Sequence, residues 1–216
     1  MAKDKTSFVC QACGAAYPKW QGRCDACGEW NTLAEEAPAA RGPGPAAKAG
    51  GGRRVEFVGL KGHSAPPPRI PTGIAELDRV LGGGLVAGSA ILVGGDPGIG
   101  KSTILLQAAA RVASAGRRVL YISGEEAVEQ VRLRAARLGL TDSPLALAAA
   151  TALRDIVASL EQEADAALVV IDSIQTVWLD ALDSAPGTVA QVRACAAELI
   201  RLAKARGFAI VLVGHV

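Results

Sequence analysis

Residues 95–102 read Gly95-Asp96-Pro97-Gly98-Ile99-Gly100-Lys101-Ser102, and this stretch fits the pattern G-x-x-x-x-G-K-[ST] at every defined position. Its glycines let the backbone turn sharply, so that successive N–H groups can point at phosphate oxygens. In this pattern Lys101 reaches the β- and γ-phosphates, and the Ser102 hydroxyl completes the shell of a Mg²⁺ ion. The stretch therefore predicts a P-loop that binds ATP, with Thr103 beside the α-phosphate.

The neighbouring sequence supports a P-loop. Residues 90–94 are apolar and predict a buried strand, and residues 103–110 predict the start of a helix whose N-terminal dipole attracts an anion. The alternative interpretation is a glycine-rich turn that matches the pattern by chance. It is disfavoured because strand, loop and helix follow one another in the required order.

A second acidic motif lies downstream, where residues 168–171 are apolar and are followed by Asp172. A buried strand here places the Asp172 carboxylate at its end, where the carboxylate can hold Mg²⁺ through water. Apolar runs that end in aspartate are common, so the motif gains its meaning from the complete P-loop before it. Strand and helix signals alternate between the two motifs and predict an α/β core, a mostly parallel sheet with helices on both faces.

Two glutamates, Glu125 and Glu126, follow a strand predicted at residues 117–124. Ligands collect at the carboxyl ends of parallel strands, so we expect Glu125 to position the water that attacks the γ-phosphate. An acid that only stabilises a helix start is the alternative, and Glu126 is the neighbour that caps the helix or takes over the role. His215 ends the last predicted strand, either as a nucleotide sensor or as an ordinary strand-end residue. The catalytic candidates are Lys101, Glu125 and Asp172.

Four cysteines near the N-terminus form two C-x-x-C pairs with ten residues between them: Cys10, Cys13, Cys24 and Cys27. Two such pairs supply the closed tetrahedral set of a structural Zn²⁺ site, which leaves no open position for a catalytic water. Redox-active pairs are the alternative, but they need a thioredoxin-like fold that this short segment cannot build. We therefore expect a zinc ribbon whose folding depends on the metal.

The composition divides the chain into three parts. We expect the zinc ribbon at residues 1–33, a flexible linker rich in Ala, Gly and Pro at 34–54, and the ATPase core at 55–216. Half of the 216 residues are apolar and the formal net charge is +2, which decides nothing about a polyanionic partner. No apolar run is long enough to span a membrane, so we expect a soluble, cytoplasmic protein without a membrane partner.

Taken together, these motifs resemble the bacterial family of DNA repair and recombination proteins RadA (Sms), which is distinct from the archaeal recombinase of the same name. The resemblance implies a RecA-like ATPase that forms a ring, a homo-hexamer, on single-stranded or branched DNA and branch-migrates recombination intermediates beside a strand-exchange recombinase. It also implies that Ser184 to Arg193 belongs to a loop facing the channel of the ring, with Arg193 contacting DNA phosphate. The matching segments are residues 28–33, 69–73, 94–103, 121–126 and 213–216.

Members of this family continue past His215 with a Lys-containing sensor segment, a Lys-Asn-Arg-Phe-Gly motif and a protease-like domain, so we expect a C-terminally truncated member with an incomplete core. The expected function is DNA-dependent ATP hydrolysis in recombinational repair, with ATP, Mg²⁺ and Zn²⁺ as cofactors. One alternative is a nucleotide-switched module that binds DNA or a partner and hydrolyses little ATP. Another is a circadian-clock-type autokinase, which shares the core and the paired glutamates but is disfavoured by the ribbon.

Overall fold

In a computed structural model of the chain, residues 7–10, 15–36, 57, 61 and 66–215 are described. The N-terminal part is a three-stranded antiparallel sheet of β1 (Ser7–Cys10), β2 (Ala16–Tyr17) and β3 (Leu33–Glu36), in the order β2-β1-β3. Strand β3 runs through Glu36 and so extends beyond the ribbon boundary predicted at residue 33. The rest of the predicted linker, residues 37–54, lies outside the described residues.

Strands and helices alternate through the rest of the chain, as the motif spacing predicts. The elements are β4 (Arg69–Ile70), α1 (Ala75–Val80), β5 (Leu85–Val86), β6 (Ala90–Val93), α2 (Lys101–Ser114), β7 (Arg118–Ser123), α3 (Val128–Arg137), β8 (Ala146–Ala149), α4 (Leu153–Gln162), β9 (Ala166–Asp172), a 3-10 turn (Ile174–Thr176), α5 (Val189–Arg206) and β10 (Ala209–Val213). Five strands form a parallel sheet in the order β6-β10-β9-β7-β8, while β4 and β5 pair antiparallel. The predicted α/β fold with a parallel sheet is confirmed.

Helices cover both faces of this sheet. Leu168 and Val170 of β9 pack with α2 and α3, whereas Val169 and Ile171 of the same strand pack with α4 and α5. Successive side chains of a strand point to opposite faces, so a strand buried on both faces is apolar throughout. This explains why β9 reads as a continuous apolar run. No helix in the described part of the chain has the length and hydropathy needed to cross a membrane.

The register of the sheet brings four strand ends together. Ser123 at the end of β7 pairs with Asp172 at the end of β9, and Val213 at the end of β10 pairs with Val93 at the end of β6. Strand β10 also pairs with β9, with Leu212 opposite Ile171. The loops that follow β6, β7, β9 and β10 therefore leave the sheet at one edge, where an α/β fold places its ligand.

A close approach between two of these loops fixes their separation. A Cβ atom added at Gly124 would lie 1.9 Å from Thr176 Oγ1 and 3.0 Å from Thr176 Cβ. The Gly124 N–H donates to the carbonyl of Asp172 at 2.8 Å, and Thr176 Oγ1 donates to the carbonyl of Ser173 at 2.8 Å. Only a residue without a side chain lets the segment after β7 lie this close to the turn after β9.

We predict that Gly124→Ala lowers the free energy of unfolding by about 1–3 kcal/mol, because the new methyl group overpacks against Thr176. Thr176→Ala alone loses one hydrogen bond and costs about 1 kcal/mol. The free energy of unfolding of the double variant falls by less than the sum of the two single losses, because removal of Oγ1 makes room for the methyl group. Urea denaturation of the three variants measures this coupling. If the two single losses of unfolding free energy simply add in the double variant, Gly124→Ala does not act through a steric contact with Thr176.

Candidate nucleotide site

The loop between β6 and α2 has the backbone geometry of an anion-binding turn. Gly100 is the residue before the helix and has φ 95°, and Gly98 has φ 82°, both in the left-handed region that favours glycine. Helix α2 begins at Lys101, two residues before the helix start expected at Thr103. The N–H groups of its first turn, which have no partner within a helix, therefore face the end of the loop.

Lys101 lies over this loop and is only 8% exposed. Its Nζ donates to the carbonyl of Gly95 at 2.6 Å and to the carbonyl of Asp96 at 2.8 Å. The same Nζ lies 3.5 Å from Nδ1 of His215. The structure thus places the ammonium group at the loop and beside the end of β10.

Asp172 is at the end of β9 and is 7% exposed. The hydroxyl of Tyr121 on β7 donates to its Oδ2, and the Asp172–Ser173 peptide bond is cis. Burial and the adjacent carboxylate raise the pKa of Tyr121, so the phenol stays a donor. Oδ1 has no hydrogen-bond partner among the described residues, which leaves one carboxylate oxygen for a cation. Magnesium prefers such oxygen ligands, so the carboxylate of Asp172 and the hydroxyl of Ser102 suit that ion.

The two neighbouring glutamates diverge. Oε1 of Glu125 accepts from the Ser173 hydroxyl at 2.5 Å and lies 3.1 Å from Nε2 of His215. Glu126 instead forms an ion pair with Arg134 of α3. The Ser173 hydrogen bond, followed by His215 and Lys101, lowers the pKa of Glu125 below the ordinary value for a glutamate. Glu125 therefore lies beside Ser173 and His215 in the site, whereas Glu126 is bound to Arg134 of α3.

His215 connects two of the candidates. Nδ1 lies near Nζ of Lys101 and Nε2 lies near Oε1 of Glu125. The imidazole therefore links the lysine that follows the phosphate loop to the glutamate that follows β7. Gln175 Nε2 donates to the carbonyl of His215 at 3.4 Å. The predicted residues Lys101, Glu125 and His215 therefore form one connected cluster.

Sequence reasoning missed the hydroxyl donors of this cluster. Tyr121 reads as a core residue of an apolar strand, although a buried tyrosine usually finds a partner for its hydroxyl. Ser173 carries no motif of its own. Only the pairing of β7 with β9 shows that Tyr121 faces Asp172 and that Ser173 faces Glu125.

The cysteines form a second site. The sulfurs of Cys10, Cys24 and Cys27 all lie within 4.8 Å of one another, and those of Cys10 and Cys27 are 3.7 Å apart. Four thiolates at zinc–sulfur distances of about 2.3 Å have sulfur–sulfur edges of about 3.8 Å, so this spacing fits a tetrahedral zinc. Cys13, the fourth predicted ligand, lies outside the described residues.

Hydroxyl groups surround these sulfurs. Tyr17 Oη lies 3.3 Å from the sulfur of Cys24, and Thr32 Oγ1 lies 3.2 Å from that of Cys10. The Tyr17 hydrogen bond lowers the pKa of Cys24, which favours the thiolate that binds metal. Partners of this kind orient metal ligands in zinc sites.

Arg193, the predicted DNA contact, lies on α5, is exposed and makes no hydrogen bond or ion pair with any residue that the structure describes. The preceding loop is fastened by Gln191, which is 1% exposed. The Gln191 side chain accepts from the Leu179 N–H and donates to the carbonyls of Leu179, Leu182 and Ser184. A single buried amide thus sets the course of this loop, and no sequence signal distinguishes it from an ordinary helix residue.

Two family models match the two parts of the chain that contain these sites. Residues 64–216 match the family model of an AAA domain, and residues 8–35 match that of a rubredoxin metal binding domain. Together with the cysteine cluster, the second match supports zinc as the metal of the N-terminal site.

Curated relatives match the whole chain. The DNA repair protein RadA of Brucella abortus is 55% identical over 100% of this chain, that of Pseudomonas aeruginosa is 50% identical, and that of Bacillus subtilis is 47% identical, the latter two also over 100%. The chain spans about half the length of these relatives, 48% of each. The chain therefore belongs to the AAA domain family, and the resemblance to the RadA proteins that its motifs indicate is confirmed.

Proposed function

We propose that this chain is a DNA-dependent ATPase of DNA repair that hydrolyses Mg-ATP at the edge of its parallel sheet. The observation that carries the proposed hydrolysis is the cluster of Lys101, His215 and Glu125, which joins the phosphate loop to a carboxylate whose Oε2 has no hydrogen-bond partner among the described residues. In phosphoryl transfer a protein acts chiefly by positioning the reacting groups and by stabilising the charge of the phosphates. A carboxylate and an ammonium group close together suit these two tasks.

The roles follow from the chemistry of each group. The N–H groups of the loop from Gly95 to Ser102, apart from Pro97, and those at the start of α2 bind phosphate oxygens, with Thr103 at the α-phosphate. Lys101 leaves its carbonyl contacts for the γ-phosphate, where it neutralises developing charge. Ser102 and Asp172 hold Mg²⁺, which when bound offsets the charge of the phosphates. Glu125 orients the attacking water through its free oxygen.

The wider context is also part of the proposal. The chain comprises a ribbon that β3 extends to Glu36, a linker up to residue 54 and an ATPase core at residues 55–216. It works in the cytoplasm as part of a homo-hexameric ring on single-stranded or branched DNA. Beside a strand-exchange recombinase, it processes recombination intermediates. The support is the match to relatives named as DNA repair proteins, together with Arg193 on α5, which is exposed, has no ion pair with a described residue and suits a phosphate contact.

The first test is ATP hydrolysis with and without single-stranded DNA. We expect DNA to stimulate turnover and Lys101→Ala to abolish it, because the ammonium group lies at the loop, where it would neutralise the charge of the γ-phosphate. Lys204→Ala is the matched control. Lys204 is exposed near Gly88, at the opposite end of the sheet, so its loss leaves turnover unchanged.

Binding of ATP without turnover, whether or not DNA is present, contradicts the proposed DNA-dependent ATPase and supports the alternative of a nucleotide-switched module that binds DNA or a partner. Turnover that survives Lys101→Ala shows that a different site or a contaminant hydrolyses ATP.

A second test separates the two glutamates. We expect Glu125→Gln to lower kcat by about 10² to 10⁴, since the amide no longer accepts as a carboxylate does. Glu126→Gln is the isosteric control, and because Glu126 pairs with Arg134 its kcat stays near that of the unaltered chain. Steady-state kinetics at saturating ATP measures both variants. If kcat falls equally in both variants, or falls more in Glu126→Gln, the assignment of the water-positioning role to Glu125 is wrong.

Zinc provides a third test. We expect one bound zinc per chain and a loss of zinc in Cys24→Ser, because the buried Cys24 sulfur belongs to the cluster. Cys195→Ala is the control, since Cys195 is buried in the core between α5 and the sheet. Atomic absorption gives the zinc content, and nucleotide binding shows whether the core stays folded. Full zinc content in Cys24→Ser rules out the proposed ligand set.

A further inference from the structure

We propose that Ser173 is a positioning residue that holds Glu125 in the orientation for attack, an inference that rests on the proposed ATP hydrolysis. The Ser173 hydroxyl donates to Oε1 of Glu125 at 2.5 Å, and Ser173 is 0% exposed. A buried hydroxyl on a carboxylate is a strong, charge-assisted hydrogen bond. Ser173 has no hydrogen bond to the phosphate loop among the described residues, so its proposed role acts through Glu125.

The position of Ser173 is itself fixed. It follows Asp172 directly, its carbonyl accepts from Thr176 Oγ1, and the Asp172 carbonyl accepts from the Gly124 N–H. These bonds join the ends of β7 and β9 around the serine. The donor therefore sits on the rigid sheet edge that also carries the metal-ligand candidate Asp172.

Glu125, by contrast, needs an anchor. It lies between β7 and α3 in a segment outside regular secondary structure, and its side chain is 43% exposed. Ser173 and His215 both bind Oε1, and Oε2 has no hydrogen-bond partner among the described residues. The serine thus holds one oxygen of the carboxylate and leaves the other for water.

The neighbouring acid shows why the anchor matters. Glu126 is held by Arg134, and its N–H donates to the hydroxyl of Ser123. In a salt bridge a positive charge lies against the carboxylate. A hydroxyl donor orients a carboxylate without adding a compensating charge. Ser173 therefore holds Glu125 at the sheet edge, while Arg134 holds Glu126 at α3.

The same hydrogen bond affects the protonation of Glu125. Stabilisation of the ionised form by Ser173 lowers the pKa of Glu125, and the other polar or charged groups facing it, His215 and Lys101, act in the same direction. Removal of the hydroxyl then raises the pKa of Glu125. This gives a readout that does not depend on turnover.

The test compares Ser173→Ala with Ser89→Ala. Ser89 is the matched control, because its hydroxyl is buried without a partner among the described residues. In Ser173→Ala we expect kcat to fall about tenfold to hundredfold, as for a lost hydrogen bond to a charged group, while the affinity for a fluorescent ATP analogue is unchanged. Equal losses of kcat and of nucleotide affinity indicate a general structural role and overturn the proposal.

A carboxyl titration by ¹³C NMR of glutamate-labelled protein without nucleotide completes the test, with Glu125→Gln assigning the signal. We expect a raised pKa of Glu125 in Ser173→Ala and the original pKa in Ser89→Ala. An unchanged pKa in Ser173→Ala overturns the contact. If the unaltered chain does not hydrolyse ATP, the proposed function fails, and the titration alone then upholds or overturns the Ser173–Glu125 contact.

Should Ser173→Ala not fold, Ser173→Cys provides the second variant. The thiol keeps the side chain in place with a weaker donor, so it shifts the pKa of Glu125 and kcat in the same directions by less. A Cys variant with the original pKa and kcat counts against the serine as the anchor.

Discussion

The hydrogen-bond register of the parallel sheet is the constraint on which the rest of this structure depends. It makes β6, β7, β9 and β10 end at one edge, and each strand delivers one part of the candidate site there. The parts are the phosphate loop, Glu125, Asp172 with Ser173, and His215. A slip of one residue in β9 would turn Asp172 to the opposite face of the sheet, away from α2 and the loop, because side chains alternate along a strand. The register therefore builds the site before any ligand is present.

The two acids of the site are held by hydroxyl groups. Tyr121 donates to Asp172 and Ser173 donates to Glu125, so each carboxylate is oriented by a donor that carries no charge. An ion pair would orient an acid as well, and Glu126 with Arg134 shows this solution one residue away. The difference is that a cation already lies against the carboxylate of Glu126, whereas Oδ1 of Asp172 and Oε2 of Glu125 have no hydrogen-bond partner among the described residues. The structure thus separates acids that stabilise the fold from acids that remain free to act.

The ribbon solves a different physical problem. Its described core contains the buried residues Cys10, Cys24 and Leu33, which is too little apolar surface to fold a segment of this size alone. The sulfurs that dominate this core are also the group whose spacing fits a metal, so the same side chains provide packing and ligands. The sheet of β1, β2 and β3 holds them together, and the extension of β3 to Glu36 shows that pairing continues past the last cysteine.

The sequence by itself determined the P-loop, the apolar strands that bracket it, the position of Asp172 at a strand end and the C-x-x-C pairs, because each is a local pattern whose chemistry is written in adjacent residues. It also placed both glutamates at the correct strand end. Only the tertiary structure decided that Glu125 faces the site and Glu126 faces Arg134, that Tyr121 and Ser173 hold the acids, and that Gln191 fastens the loop before Arg193. These contacts join residues far apart in the chain. They depend on strand register and on the close approach at Gly124, which no local pattern encodes.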